Sequence, residues 1–472
     1  MPSFVALLER RAPAAVARRL APVAATLDRM LGGSEGLFVA RRMALAAFVV
    51  RVASAAIAYL SQVLMARWIG DFEYGVFVVV WVAVVTLGGI ACLGTQVAII
   101  RFVPHYQETG EAALLRGVLR ASRLQGLASA TLFAALGILG IWLFGDRLAS
   151  HYVLPLYLGA VCLPMLALAE IGSGVANGFS WSTLALWPTF IGRPLVLLAA
   201  MAGAIALGAP ATAPTAMTAA VAATWLVTFA QNLAIEIRVR RAVPRGRRRY
   251  APRLWATTIW PVFLAETFYG LLLNVDILVV GQMMAPEDAG VYYAAAKTLA
   301  LVHIVYFAVR SATMPRFAQY FAAGDRPRLE GILRDGLIWT FWPSVLMVAG
   351  VLVAGRFLLG LFGPNFDAGY PLLFVLSLGV LARAAIGPAE AALTMAGRQK
   401  ACAAIYSACF FLNLGLNLIL VPRFGLAGAA SATTATLAAE AILVYLAARL
   451  LIGLRSSIVD AMRGARLTTT AR

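Results

Sequence analysis

The sequence predicts an all-α polytopic membrane protein, twelve transmembrane helices in two parallel-repeat six-helix bundles around a central cavity. Three observations carry that prediction. Of 472 residues, 62% are hydrophobic and only 13% charged, whereas soluble domains carry about 25% charged residues. Apolar runs of bilayer-spanning length, about 20 residues each, recur along the chain. The second half of the chain also repeats the first, in register. With a mean hydropathy of +0.85, a water-soluble fold is excluded.

Residues 1–43 form a basic cytoplasmic segment. Arg10, Arg11, Arg18 and Arg19 are spread through it without an apolar core or a small-residue cleavage site, so a removable signal peptide is not expected. Phe4, Leu7, Leu8, Leu20, Val23, Leu27 and Leu31 suit either an interfacial amphipathic helix or a disordered basic tail. Apolar runs then follow near 44–66, 74–99, 123–144, 153–177, 183–207 and 215–237. After a basic linker, 239–255, come runs near 256–284, 290–312, 336–361, 369–395, 401–421 and 425–451, and a tail, 453–472.

Loop charge orients these spans. With the N-terminus inside, the inward segments hold 30 Lys and Arg, and the outward loops hold only Arg67, Arg147, Arg356 and Arg423. The positive-inside rule therefore predicts cytoplasmic termini. A net charge of +18 thus reflects topology, and nucleic acid is not an expected partner.

The repeat is weak but registered. Gly75-Val76-Phe77 precedes Arg101-Phe102 as Gly290-Val291-Tyr292 precedes Arg316-Phe317, both at an offset of 215. Leu119-Arg120 resembles Leu333-Arg334, and Pro155-Leu156 matches Pro371-Leu372 at an offset of 216. The expected bundles are 44–238 and 256–452. Each has an even number of spans, so both share one orientation. Parallel repeats of this kind place a substrate site between their halves and work by alternating access, which points to a transporter.

Arg51, Arg193, Lys297, Arg310 and Arg383 fall within predicted spans, with Arg310 toward the end of its run and the other four deeper. A cation at mid-bilayer costs about 2.5–3.5 kcal/mol on insertion scales, so these four are expected to face the interior, either paired or as an electropositive chamber for an anionic head group. Acidic candidates for pairing or for ion coupling are Glu170, Glu266, Asp276 and Glu390, with Glu440 as a further partner. Arg383 and Glu390, seven residues apart, share a helical stripe, and Gly387-Pro388 between them should kink it.

Catalytic signatures are missing. The sequence contains no phosphate-binding glycine loop, no HExxH, no CxxC and no GxSxG, so neither an enzyme nor a cofactor or metal site is expected. Cys92, Cys162, Cys402 and Cys409 lie in apolar runs and read as packing residues. His303, inside a span, reads as helix packing too.

Some segments point to a family. They include Ala66-Arg67-Trp68-Ile69-Gly70 with Glu73-Tyr74-Gly75-Val76-Phe77, then Arg101-Phe102-Val103-Pro104. They continue with Val275-Asp276, Ala289-Gly290-Val291-Tyr292-Tyr293-Ala294-Ala295-Ala296 and Pro315-Arg316-Phe317. Near the C-terminus come Ala396-Gly397-Arg398-Gln399-Lys400 and Asn413 through Ala430. In order and spacing the chain resembles the polysaccharide-transport flippases, exporters of O-antigen and exopolysaccharide lipid-linked repeat units. Their superfamily also holds multidrug and toxin extruders and lipid II flippases.

The resemblance implies translocation of an undecaprenyl-pyrophosphate-linked oligosaccharide across the bacterial inner membrane, driven by an ion gradient. Asp276 or Glu266 are then the coupling candidates. A polysaccharide polymerase and glycosyltransferases become candidate protein partners. The alternatives are a multidrug or small-cation antiporter of the same fold, expected to have an acidic, aromatic-rich cavity, and a membrane oligosaccharide polymerase or ligase, expected to have a large periplasmic loop.

Overall fold

In hydrocarbon a peptide group has no water to bond, so apolar runs of this length are driven to helix, where each N–H finds a carbonyl in its own segment. The computed structural model describes residues 53–462, and among these no strand occurs. The chain divides into two units, Met1–Ala56 and Ile57–Arg472. The expected N-terminal segment and Arg51 lie outside the described residues.

The first half opens with α1, residues 53–69, then α2 (Asp71–Ala91), α3 (Thr95–Glu108), α4 (Ala112–Phe144) and α5 (Ser150–Gly178). A π turn at Pro188–Gly192 joins α6 (Ser182–Trp187) to α7 (Arg193–Ala206), and α8 (Ala213–Ala242) ends the half. The second half has α9 (Pro252–Leu272), bent by 47° into α10 (Val275–Met283), and α11 (Pro286–Ala300), bent by 43° into α12 (His303–Ala323). Then follow α13 (Arg326–Gly360), α14 (Tyr370–Ala384), α15 (Ala389–Met395) and α16 (Gln399–Leu451).

Among the described residues eight helices are long and apolar enough to cross a membrane, ten if each bent pair is one span. Two features separate that number from the expected twelve. The first apolar run begins outside the described residues, and the last two runs share α16, whose 53 residues are broken at Gly425 (φ 57°, ψ −137°). That backbone conformation is essentially reserved for glycine.

Helices α2–α8 pack among themselves, as do α9–α16. The two sets meet along α2, which packs on α9, α10 and α11, while α3 packs on α9. At this seam a Cβ on Gly75 would lie 1.7 Å from the carbonyl oxygen of Pro286, and one on Gly290 would lie 3.5 Å from that of Asp71. Residues 71 and 286 are themselves repeat equivalents. The contact is therefore reciprocal between the two sets of helices, and small residues let the backbones approach.

Polar bonds close the same end of the seam. Asn365 Nδ2 donates to Asp71 Oδ2 at 2.5 Å, and Arg67 donates to the carbonyls of Leu361 (2.6 Å) and Gly360 (2.7 Å). Tyr59 shares a hydroxyl hydrogen bond with Thr298 at 3.1 Å and donates to the Leu358 carbonyl.

Candidate functional site

A charge inside the bilayer survives only if something answers it, so the intramembrane ionisable residues mark the site. The largest assembly lies in the second half. Helix α14 ends at Ala384, the chain turns through Gly387 (φ 50°) and Pro388, and α15 starts at Ala389. Proline cannot continue the hydrogen-bond ladder, and the interruption leaves Arg383 and Glu390 as neighbours, with Nη2 3.8 Å from Oε2.

Two other helices complete the group. From α16, Glu440 Oε1 lies 3.4 Å from Arg383 Nη2. From α12, Arg310 Nη2 lies 3.5 Å from Glu390 Oε1, and Tyr306, one turn earlier, donates its hydroxyl to Glu390 Oε2 at 2.7 Å. The Arg383 guanidinium sits 5.4 Å from the centre of the Tyr306 ring, a cation–π distance. Arg383 is only 6% exposed and Glu440 2%. Glu440 Oε2 and Arg310 Nε have no hydrogen-bond partner among the described residues.

Glu266 on α9 is exposed, yet it lies within electrostatic reach of Arg310 and Glu390 on one side and of Glu170, from the first half, on the other. Tyr269, three residues along α9, is an electrostatic neighbour of Arg310, Arg383, Glu390 and Glu440. Around this group two arginines face three glutamates, so one carboxylate is in surplus if all are ionised. Such a site can take up one cation or proton and lose it again.

Glu170 (α5) and Arg193 (α7) are electrostatic partners within the first half. Arg193 Nε is shielded and lacks a hydrogen-bond partner among the described residues. Lys297 is exposed, with Nζ 4.8 Å from the Tyr293 ring centre. Asp276 stands apart. It is buried on α10, accepting from the Tyr292 hydroxyl (2.7 Å), Thr433 Oγ1 (3.1 Å) and its neighbour's backbone N–H. His303 and Tyr306 line a pocket of about 10 Å³ with Ser344 and Arg383, room for about one water.

The structure thus joins Arg383, Glu390 and Glu266 in one neighbourhood, keeps Glu170 and Arg193 together beside it, and leaves Lys297 and Asp276 elsewhere. Arg383 appears as an ion-paired residue rather than an open cation, because an uncompensated guanidinium at that depth costs several kcal/mol. Sequence reasoning missed Arg310 as a member, since its position along the span read as a helix end. Its only signal was the Tyr306–Arg310 spacing of four, which sets both on one helical face. Tyr306 itself carries no distinguishing sequence signal.

The family model described as "Polysaccharide biosynthesis protein" matches residues 41–321, and the MatE model matches residues 261–419. The probable low-salt glycan biosynthesis flippase Agl15 of Haloferax volcanii is 28% identical over 176 residues, and the match spans 36% of this chain and 36% of that relative's length. A structure of the lipid II flippase MurJ in an inward closed conformation aligns with a TM-score of 0.68 at 14% identity, over 85% of this chain and 87% of that one. An inward-facing multidrug resistance MATE family transporter of the MOP superfamily aligns with a TM-score of 0.66 at 14% identity, over 87% and 95%. At such identities these two structures speak to fold alone.

Proposed function

The chain belongs to the polysaccharide biosynthesis protein family, and on that footing we propose that it is a multi-pass membrane flippase of the MOP superfamily whose substrate is an undecaprenyl-pyrophosphate-linked oligosaccharide. The family match over residues 41–321 is the observation that carries the reading. In this reading the protein sits in the bacterial inner membrane with both termini cytoplasmic. It serves O-antigen, lipopolysaccharide or exopolysaccharide assembly, beside a polymerase and glycosyltransferases. Its halves are residues 44–238 and 256–452.

The charged cluster suggests how an ion gradient drives the step. A pyrophosphate is multiply anionic and binds guanidinium groups in bidentate fashion. Arg383 and Arg310 are occupied by Glu390 and Glu440, so an anionic substrate must compete with those carboxylates. Protonation of the glutamates frees the arginines, and the substrate's departure returns them. Arg193, Lys297 and Arg51 are the remaining substrate-binding candidates, and Glu266, Glu170 and Asp276 are the remaining coupling candidates.

Deleting the gene tests the proposal. The expected result is accumulation of a lipid-linked saccharide on the cytoplasmic face, reversed by the intact gene and not by an Arg310→Gln, Arg383→Gln variant. The MatE match over residues 261–419 favours one rival, a drug or small-cation antiporter. Altered drug sensitivity without any accumulated saccharide would establish that rival in place of the flippase reading.

A further inference from the structure

Outside the charged cluster, the strongest concentration of one charge lies at the end of the first half from which the inter-half segment departs. There α4, α8 and residues 243–248 enclose a cleft of about 720 Å³. Six arginines line it, Arg116, Arg120, Arg123, Arg240, Arg245 and Arg248, against a single acid, Glu236.

The cleft is built rather than fortuitous. Arg116 donates to the carbonyls of Arg247 (2.9 Å) and Pro244 (2.7 Å), and Arg249 donates its backbone N–H to the Ala113 carbonyl at 2.9 Å. The Arg249 carbonyl oxygen lies where a Cβ on residue 117 would be, 1.8 Å away, so only glycine lets the segment sit so close. Held at both ends, this strap presents Arg245 and Arg248 to the cleft at little further entropic cost. Glu236 is taken by Arg123 (2.7 Å) and Arg240 (2.9 Å). Arg123 Nε and Nη2 are nevertheless shielded and have no hydrogen-bond partner among the described residues. Shielded guanidinium donors without acceptors are expensive, and Arg123 lines the cleft.

We propose that this cleft binds the phosphate of an anionic bilayer lipid, at a site separate from the charged cluster. The ligand's charge follows from the arginines, and its lipid nature from the walls. Leu119, Leu124, Val239 and Val243 line the cleft beside the arginines. Leu124, Leu127, Leu233 and Ile237 stay 40–54% exposed where α4 and α8 lead away from it. A head group can therefore sit among the guanidiniums while its acyl chains follow apolar helix surface. On the orientation expected from the loop charges, that leaflet is the cytoplasmic one. The bound lipid ties the strap between the halves to the bilayer, whichever substrate the transporter carries.

Native mass spectrometry of the full chain in neutral detergent tests this, with phosphatidylglycerol, phosphatidylcholine and inorganic phosphate as probes. The test variant is Arg120→Gln, Arg245→Gln, Arg248→Gln, three exposed side chains. The control removes the same charge elsewhere, by Arg398→Gln, Lys400→Gln, Arg455→Gln. Wild type and control are expected to retain phosphatidylglycerol over phosphatidylcholine, and the test variant to hold it on the order of a hundredfold more weakly, about fivefold for each arginine. Added salt should weaken the wild-type complex. Equal retention by the test variant, or an equal loss in the control, would overturn the site. Displacement of the lipid by inorganic phosphate at matched concentration would overturn the lipid assignment.

Discussion

Glu266 and Arg383 carry opposite kinds of risk for the protein. Arg383 is buried between Glu390 and Glu440, so Arg383→Gln strands Glu440 in a medium that cannot hydrate it, while Glu390 keeps Arg310 and Tyr306. Thermal unfolding in detergent should register a loss of about 3–5 kcal/mol, the usual result of removing one partner of a buried ion pair. Adding Glu440→Gln to that variant should restore part of it. Glu266 is exposed, and among the described residues it makes no ion pair. Glu266→Gln should leave the unfolding midpoint unchanged while slowing ion-driven transport in proteoliposomes. If it unfolds the protein instead, Glu266 is a structural residue and not a coupling one. The two tyrosines and two arginines around these acids, Tyr269, Tyr306, Arg310 and Arg383, were only half legible beforehand. A charge inside an apolar run is obvious in one dimension, but its partner, 57 residues away for Glu440, is chosen by how helices pack.

Among the elements, the breaks decide where charges can meet. The turn at Gly387-Pro388 was readable because proline lacks an amide hydrogen. The breaks at Leu273-Asn274 and Leu301-Val302 contain neither glycine nor proline, so nothing local announces them. Gly425 is the clearest test of a break. Its φ of 57° and ψ of −137° belong to a region closed to residues with a Cβ, and Gly425→Ala should cost about 1–3 kcal/mol. The check is a lowered unfolding midpoint with unchanged helical circular dichroism. An unshifted midpoint would mean that the break does not depend on glycine.

For the whole molecule, the seam along α2 is where the two sets of helices meet, and the proposed transport cycle would have to open it. Asp71 and Asn365 bond across it at 2.5 Å, beside the reciprocal contacts of Gly75 and Gly290. The four native cysteines are all buried. In a background with those four replaced, Asp71→Cys with Asn365→Cys should arrest transport when oxidised and recover on reduction. Full transport by the cross-linked protein would mean that this end of the seam never opens.

The sequence by itself determined that this chain is a polytopic helical membrane protein and, in outline, which runs of it are helical. Hydropathy and loop charge act through single segments and their contact with lipid and water, so they need no knowledge of neighbours. The tertiary structure alone decided that Arg310 joins Arg383 and Glu390, that Asp276 is enclosed by Tyr292 and Thr433, and that a strap of arginines docks on Gly117. Those outcomes depend on the angles at which helices break and cross, which arise from the packing of side chains far apart in the chain and leave no periodic trace in it.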